Sequence, residues 1–176
     1  MSGRLYGVGL GPGDPELITL KAARLVREAD VVAYHAGRHG SSIARTIAAD
    51  LIRPDVVEEQ LVYPVTTGIT EHPGGYPGAM ADFYEESAAR LAEHLQQGRD
   101  VVLLAEGDPL FYGSYMYMHD RLADRFHTEV VPGSTVSTSV CRTSGLATAA
   151  DAAATDVTPG TTSVWNRSAS RSCMYM

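Results

Sequence analysis

The chain has 176 residues, 44% of them hydrophobic, which suits one sizeable core and favours one domain, or one and part of another. A formal net charge of −7 disfavours a nucleic-acid partner, whose phosphates call for a basic face, and no apolar run approaches the roughly 20 residues of a membrane span. The N-terminus has no basic region followed by an apolar core, and Cys141 and Cys173 are too few for a disulfide framework or a zinc site, so reduced thiols and a cytoplasmic setting are expected.

Leu5 to Leu10 reads as a buried strand, and it runs into Gly9-Leu10-Gly11-Pro12-Gly13-Asp14, a turn whose glycines carry no Cβ to keep a ligand away. The spacing is not the dinucleotide fingerprint, because the third glycine comes too soon and Pro12 removes a donor, and no Gly-Lys-Ser/Thr follows as in a Walker loop. Thr19 is placed to cap a helix reaching about Glu28, and Val31 to Tyr34 predicts a second strand. A helix follows from near Ser41 or Ser42, with Ile43, Ile47 and Leu51 on one face, then a short strand over Leu61 to Tyr63. Thr67 to Pro77 reads as a mobile or ligand-facing loop, and Tyr63-Pro64 with Gly74-Gly75-Tyr76-Pro77 suggests either a flap that closes over substrate or a plain connector. Met80, Tyr84, Ser87, Leu91 and Leu95 form the apolar stripe of the clearest helix, which Gly98 stops.

Val101 to Ala105 is an apolar strand, Gly113 to Arg125 a helix, and Glu129 to Val131 a last strand ending at Pro132-Gly133. Strand and helix in alternation predict an α/β fold, a parallel sheet flanked by helices on both faces. Ligands of such sheets bind outside the carboxyl ends of the strands. Three of those ends carry glycine with proline, at Gly11-Pro12-Gly13, Gly107-Asp108-Pro109 and Pro132-Gly133, and all three are expected to line one cleft. After Gly133 the composition changes: from Ser134 to Met176, sixteen of 43 residues are Ser or Thr, with one Leu and no Ile or Phe. Residues 1–133 therefore read as the α/β domain and 134–176 as a weakly ordered tail, of which Val136 to Leu146 would pack as a helix.

Glu106-Gly107-Asp108-Pro109-Leu110-Phe111-Tyr112-Gly113-Ser114 makes a compact polar turn at a strand end. Together with Gly11-Pro12-Gly13-Asp14-Pro15-Glu16-Leu17 and Leu20-Lys21-Ala22, it resembles the tetrapyrrole (corrin/porphyrin) methylases. Tyr63-Pro64-Val65 and the run from Tyr112 to Leu122 are most similar to the branch that methylates carbon 20 of precorrin-2 in cobalamin synthesis. The resemblance covers about Arg4 to Gly133, and makes the chain an N-terminal domain with an atypical or truncated C-terminus.

This resemblance implies a two-domain enzyme, usually a homodimer, that takes S-adenosylmethionine as cofactor and a tetrapyrrole as substrate. Gly11, Pro12 and Gly13 would then face the substrate, while Gly107, Asp108, Pro109, Tyr112, Gly113, Ser114 and Thr135 would hold the cofactor. Asp14 is the catalytic candidate, polarising a pyrrole N–H or accepting a proton; its other reading is a turn or cap aspartate. Glu106 and Asp108 either complement the cofactor's cationic groups or bond their own turn. Tyr115 to Met118 read as core more than as substrate platform, and His119 beside Asp120 as a solvated pair. His35, Arg38, His39 and Arg45 either meet substrate carboxylates or form a solvated face. No Cys or His cluster has metal-ligand spacing, so no metal is expected. The remaining alternatives are uroporphyrinogen methylation and an inactive fragment that serves only in binding or dimerisation.

Overall fold

The computed structural model describes residues 2–38, 42–65, 70–111 and 113–134, and within them the short apolar runs become one sheet. Its strands are β1 (Arg4–Gly9), β2 (Val31–Ala36), β3 (Val57–Val62), β4 (Val101–Ala105) and β5 (His127–Val131). They lie in the order β3-β2-β4-β1-β5, and every pairing is parallel. Central strands covered on both faces must be apolar at successive positions, and Val101 to Leu104 are accordingly all buried. The edge strand β3 has the opposite character: Val57-Glu58-Glu59-Gln60 leaves Leu61 as its one buried residue. That polar start is why the sequence pattern places the strand only from Leu61 onward.

Helices α1 (Leu20–Glu28) and α2 (Ile43–Ile47) cover one face, where Val8, Val26, Val32, Ile47, Val102 and Leu104 pack together. The other face carries α3 (Gly75–Gln96) and α4 (Tyr115–Leu122) over Leu5, Leu61, Leu91, Leu103 and Met118. The alternation of Val101 and Leu103 with Val102 and Leu104 between the two cores is the two-residue period of a strand. Each short helix starts where a hydroxyl is available: Thr19 Oγ1 accepts from the Ala22 N–H at 3.2 Å, and Ser42 Oγ from the Arg45 N–H at 3.3 Å. In α2 the buried face is Ala44, Ile47 and Ala48, whereas Ile43 is 61% exposed, so the expected stripe is turned by one residue.

The expected stripe of α3, Met80, Tyr84, Ser87, Leu91 and Leu95, is buried throughout, and the helix ends before Gly98 at φ +81°. Its beginning corrects the sequence reading. Gly75-Tyr76-Pro77 is the first turn of α3 and not part of a flap, a position where the missing proline N–H does no harm. His72 holds that turn, since its Nδ1 accepts from the Gly74 N–H at 3.0 Å and its Nε2 meets Asp82 Oδ2 at 2.9 Å. A Cβ on Gly78 would stand 2.7 Å from the same Nδ1, so the helix closes on the ring only because that residue is glycine. Helix α4 is shorter than expected, and the proposed helix over Val136 to Leu146 and the tail lie outside the described residues.

Candidate functional site

From β1 the chain crosses β4 to reach β2, and from β4 it crosses β1 to reach β5. Connections therefore leave these two neighbours in opposite directions, which opens a crevice at their carboxyl ends. Both glycine motifs sit there, 96 residues apart in sequence and hydrogen-bonded to each other. Gly11 N–H donates to the Gly107 carbonyl at 3.2 Å and Gly107 N–H to the Gly11 carbonyl at 3.0 Å. The third strand end closes on the same spot. A Cβ on Gly133 would lie 1.9 Å from the Gly107 carbonyl oxygen, and one on Gly9 would lie 2.4 Å from the Gly133 nitrogen.

This geometry sharpens the meaning of the glycines. Gly9 and Gly133 are glycine because backbone meets backbone there, whereas Gly13, at φ +122°, has nothing within 4 Å of a Cβ position and faces open space. Gly11 is buried, while Pro12, Gly13 and Asp14 are exposed at the rim. Asp14 caps the short 3-10 turn Pro15–Leu17, its Oδ1 accepting from the Glu16 N–H at 2.9 Å. Asp108 does likewise in the second loop, accepting from the Leu110 N–H at 2.9 Å. Pro109 is buried beneath that loop, and a Cβ on Gly113 would lie 2.9 Å from the Pro109 carbonyl oxygen.

Beside these loops opens a cleft of about 360 Å³, lined by the ends of β2 and β4, the start of α2 and the segment from Gly113 to Tyr115. Among the described residues its lining has one carboxylate, Glu106, and no Lys or Arg. Ser114 is the polar centre of one wall: its hydroxyl is shared by the Tyr63 hydroxyl at 2.5 Å and the Tyr84 hydroxyl at 3.0 Å. Burial pushes the Tyr84 phenol up to about 12 and the Tyr63 phenol upward too, so both remain protonated at neutral pH. Tyr117 stacks on Tyr84 at 4.3 Å and 10°, extending the wall toward the surface, and Tyr115 and Met118 are core as expected.

His35 lines the cleft as well, and burial lowers its pKa to about 4, which keeps the ring neutral. The other members of the expected basic group part company. Arg45 is engaged by both carboxylate oxygens of Glu58 at 3.0 Å, Arg38 lines a neighbouring cavity, and His39 lies outside the described residues, as do Tyr112 and Thr135. His119 is held by Thr128, its Nδ1 3.1 Å from Oγ1, and not by Asp120. Tyr84 and Ser42 were absent from the sequence-based site, whereas Tyr63-Pro64 was read as part of a loop closing over substrate, and Tyr63 does line the cleft. A tyrosine just past a strand end, followed by Pro64, was the available signal for Tyr63. Among the described residues no group of three His, Cys, Asp or Glu is placed to hold a metal, and no helix is long and apolar enough to cross a membrane.

A parallel sheet with interlocked glycine turns at its switch point and a cleft beside them is the frame of an α/β domain that binds a small molecule. Residues 4–174 match the model of the Tetrapyrrole (Corrin/Porphyrin) Methylases, and the chain belongs to that family. The match runs on through residues that composition alone set apart as a tail. Over 133 residues, 76% of this chain, it is 64% identical to the cobalamin biosynthesis protein CobIJ of Mycobacterium tuberculosis (strain ATCC 25618 / H37Rv), of which it covers 26%. Over 159 residues, 90% of this chain, it is 49% identical to the precorrin-2 C(20)-methyltransferase of Sinorhizobium sp, of which it covers 65%. The chain thus spans about a quarter of the first relative's length and just under two thirds of the second's.

Two solved structures agree in fold. A cobalt precorrin-4 methyltransferase matches with a TM-score of 0.55 at 28% identity, over 81% of this chain and 50% of that one. The uroporphyrin-III C-methyl transferase from Thermus thermophilus complexed with S-adenyl homocysteine matches with a TM-score of 0.52 at 31% identity, over 81% of this chain and 48% of that one.

Proposed function

We propose that the chain takes part in S-adenosylmethionine-dependent methylation of a tetrapyrrole in cobalamin biosynthesis, with carbon 20 of precorrin-2 as the acceptor. The observation that carries this reading is the Gly11–Gly107 bridge, which brings the two motifs of the family resemblance to one switch point. The similarity to a precorrin-2 C(20)-methyltransferase at 49% identity supports the choice of carbon.

The chemistry of the lining fits the cofactor. Glu106 in the lining and Asp108 in the loop beside it follow the end of β4, and no cation is among the described lining residues, so the sulfonium and ammonium of the ligand meet complementary charge. When bound, S-adenosylmethionine supplies an electrophilic methyl group, and the protein's task is to bind, orient and exclude water. Gly107, Asp108, Pro109, Gly113 and Ser114 are the cofactor side of the site in this reading, together with Tyr112 and Thr135. Gly11, Pro12 and Gly13 are the substrate side. Asp14 is exposed at the loop tip beside them, and in this reading its carboxylate polarises a pyrrole N–H or takes up the proton that leaves the methylated carbon. The two tyrosine hydroxyls on Ser114 hold the Gly113–Ser114 backbone in place for the cofactor. The intact assembly is a homodimer in this reading, working in the cytoplasm.

The test is to incubate the chain with methyl-labelled S-adenosylmethionine and precorrin-2 under anaerobic conditions and locate the label. Label at carbon 20 is the expected result. Label at carbons 2 and 7, with uroporphyrinogen III as the better acceptor, would replace the reading with the uroporphyrinogen reaction, and no label on either acceptor would overturn it.

A further inference from the structure

His35 stands one residue from the end of β2, where the strand opens into the cleft. Its imidazole stacks on Tyr63, with centroids 5.2 Å apart and 16° between the planes, and meets Phe83 at 6.0 Å. A phenylalanine would make the same ring contacts. What they leave unexplained is the nitrogen: Nε2 is shielded from solvent and has no hydrogen-bond partner among the described residues. An orphaned buried polar atom destabilises a fold, so an imidazole at a place where a phenyl ring would pack calls for a partner that arrives from outside the chain.

The surroundings define that partner. With its pKa near 4, the ring is neutral under ordinary conditions and offers a hydrogen bond without charge. Around it the cleft presents Ile43, Leu103, Leu104 and Tyr115, the hydroxyls of Tyr63 and Ser114, and the single carboxylate of Glu106. This lining suits a flat apolar body that carries a few polar atoms near its middle. It does not suit carboxylates, because no cation is among the described residues of the lining. A tetrapyrrole offers such a body in its pyrrole rings, whose nitrogens lie inward and whose acidic arms point outward.

We propose that His35 is a substrate-binding residue, its Nε2 exchanging a hydrogen bond with a ring nitrogen of the tetrapyrrole while Tyr63 fixes the plane of the imidazole. The inference rests on the tetrapyrrole reading given above and names the residue that recognises the ring. It separates the two ligands, since His35 belongs to the macrocycle and the loop at Gly107 to Ser114 belongs to the cofactor.

Two measurements test it. In the first, His35→Phe keeps the ring contacts and removes the nitrogen, and His35→Gln returns a polar group. Steady-state methylation with each substrate varied in turn should show KM for the tetrapyrrole raised about tenfold in His35→Phe, equivalent to one lost hydrogen bond, with KM for S-adenosylmethionine within about twofold. His35→Gln should recover part of the loss. Equal changes in both constants, or no change in either, would overturn the assignment. In the second, 15N-labelled histidine in the wild-type chain is observed by NMR while precorrin-2 or S-adenosylhomocysteine is added separately. The Nε2 resonance of His35 should move with precorrin-2 and stay put with S-adenosylhomocysteine, and the reverse pattern would overturn the assignment. If the wild-type chain labels no tetrapyrrole at all, the functional reading fails; if it does and His35→Phe behaves like wild type, only the role of His35 fails.

Discussion

Two walls meet at the candidate site, and they are built on different principles. The glycine rim is backbone against backbone: Gly9, Gly11, Gly107 and Gly133 interlock with no side chains between them. The aromatic wall is all side chain, running from His35 through Tyr63 and Phe83 to Tyr84 and Tyr117, with the Ser114 hydroxyl joining two of the phenols. A backbone wall has no room to vary, because any added carbon collides with an atom that cannot rotate away. A side-chain wall is adjustable, one functional group at a time. The rigid glycine rim thus stands beside the cleft, while His35, Tyr63 and Ser114 of the adjustable wall line it.

The sharpest way to break this contrast is at Gly133. Alanine there puts a carbon 1.9 Å from the Gly107 carbonyl oxygen, and should destabilise the chain by about 3 kcal/mol or more, read as the shift in a denaturant midpoint. A loss under about 1 kcal/mol would mean the rim yields, and the contrast would fail. The next effect belongs to the other wall and appears as pH dependence. The unfolded His35 takes up a proton below about 6.5, whereas the folded residue resists until about 4, so stability falls as pH drops through that window. The contribution is of the order of 3 kcal/mol at 1.36 kcal/mol per unit, and it should appear as the difference between the pH profiles of wild type and His35→Phe, which lacks the titrating ring. A parallel pH profile for the two proteins would show the site to be wetter than its burial implies.

Smaller changes sharpen the picture. Ser114→Ala leaves two buried phenols without their shared partner and should cost about 1–2 kcal/mol in thermal unfolding, with Tyr63→Phe costing less. Gly13→Ala meets no atom within 4 Å and suffers only its left-handed backbone, so a loss of about 1 kcal/mol is expected, well short of that at Gly133. The smallest effect should come from Lys21→Ala, which removes an ion pair to Glu129 whose side chains are 50% and 35% exposed, and should change stability by no more than about 0.5 kcal/mol.

The fold was legible wherever burial dictates residue type. The doubly covered strands β1, β2 and β4 and the stripe of α3 announce themselves as apolar runs or four-residue spacings. The edge strand β3 did not, because a strand solvated along one side has no need of an apolar start at Val57-Glu58-Glu59-Gln60. The start of α3 was hidden for another reason: Gly74, Gly75 and Pro77 look like loop residues until His72 is seen filling the space that Gly74 and Gly78 leave. At the site, the two glycine motifs were readable and their mutual hydrogen bonds were not, since nothing local says which backbone a glycine will touch. His35 was read as one of a basic group; its place in the cleft depends on Tyr63 and Phe83, which are remote in sequence.

The strand order also sets a timetable for manufacture. β1 is made before the other strands of this sheet, yet its two neighbours are β4 and β5, which begin at Val101 and His127. At ordinary rates of synthesis it waits on the order of ten seconds before either edge can pair. β2 and β3 meet much sooner. During that interval an apolar strand of the domain is an open template, so a chaperone that recognises extended apolar peptide should find Leu5 to Leu10 exposed, and the candidate cleft is among the last features of this domain to be completed.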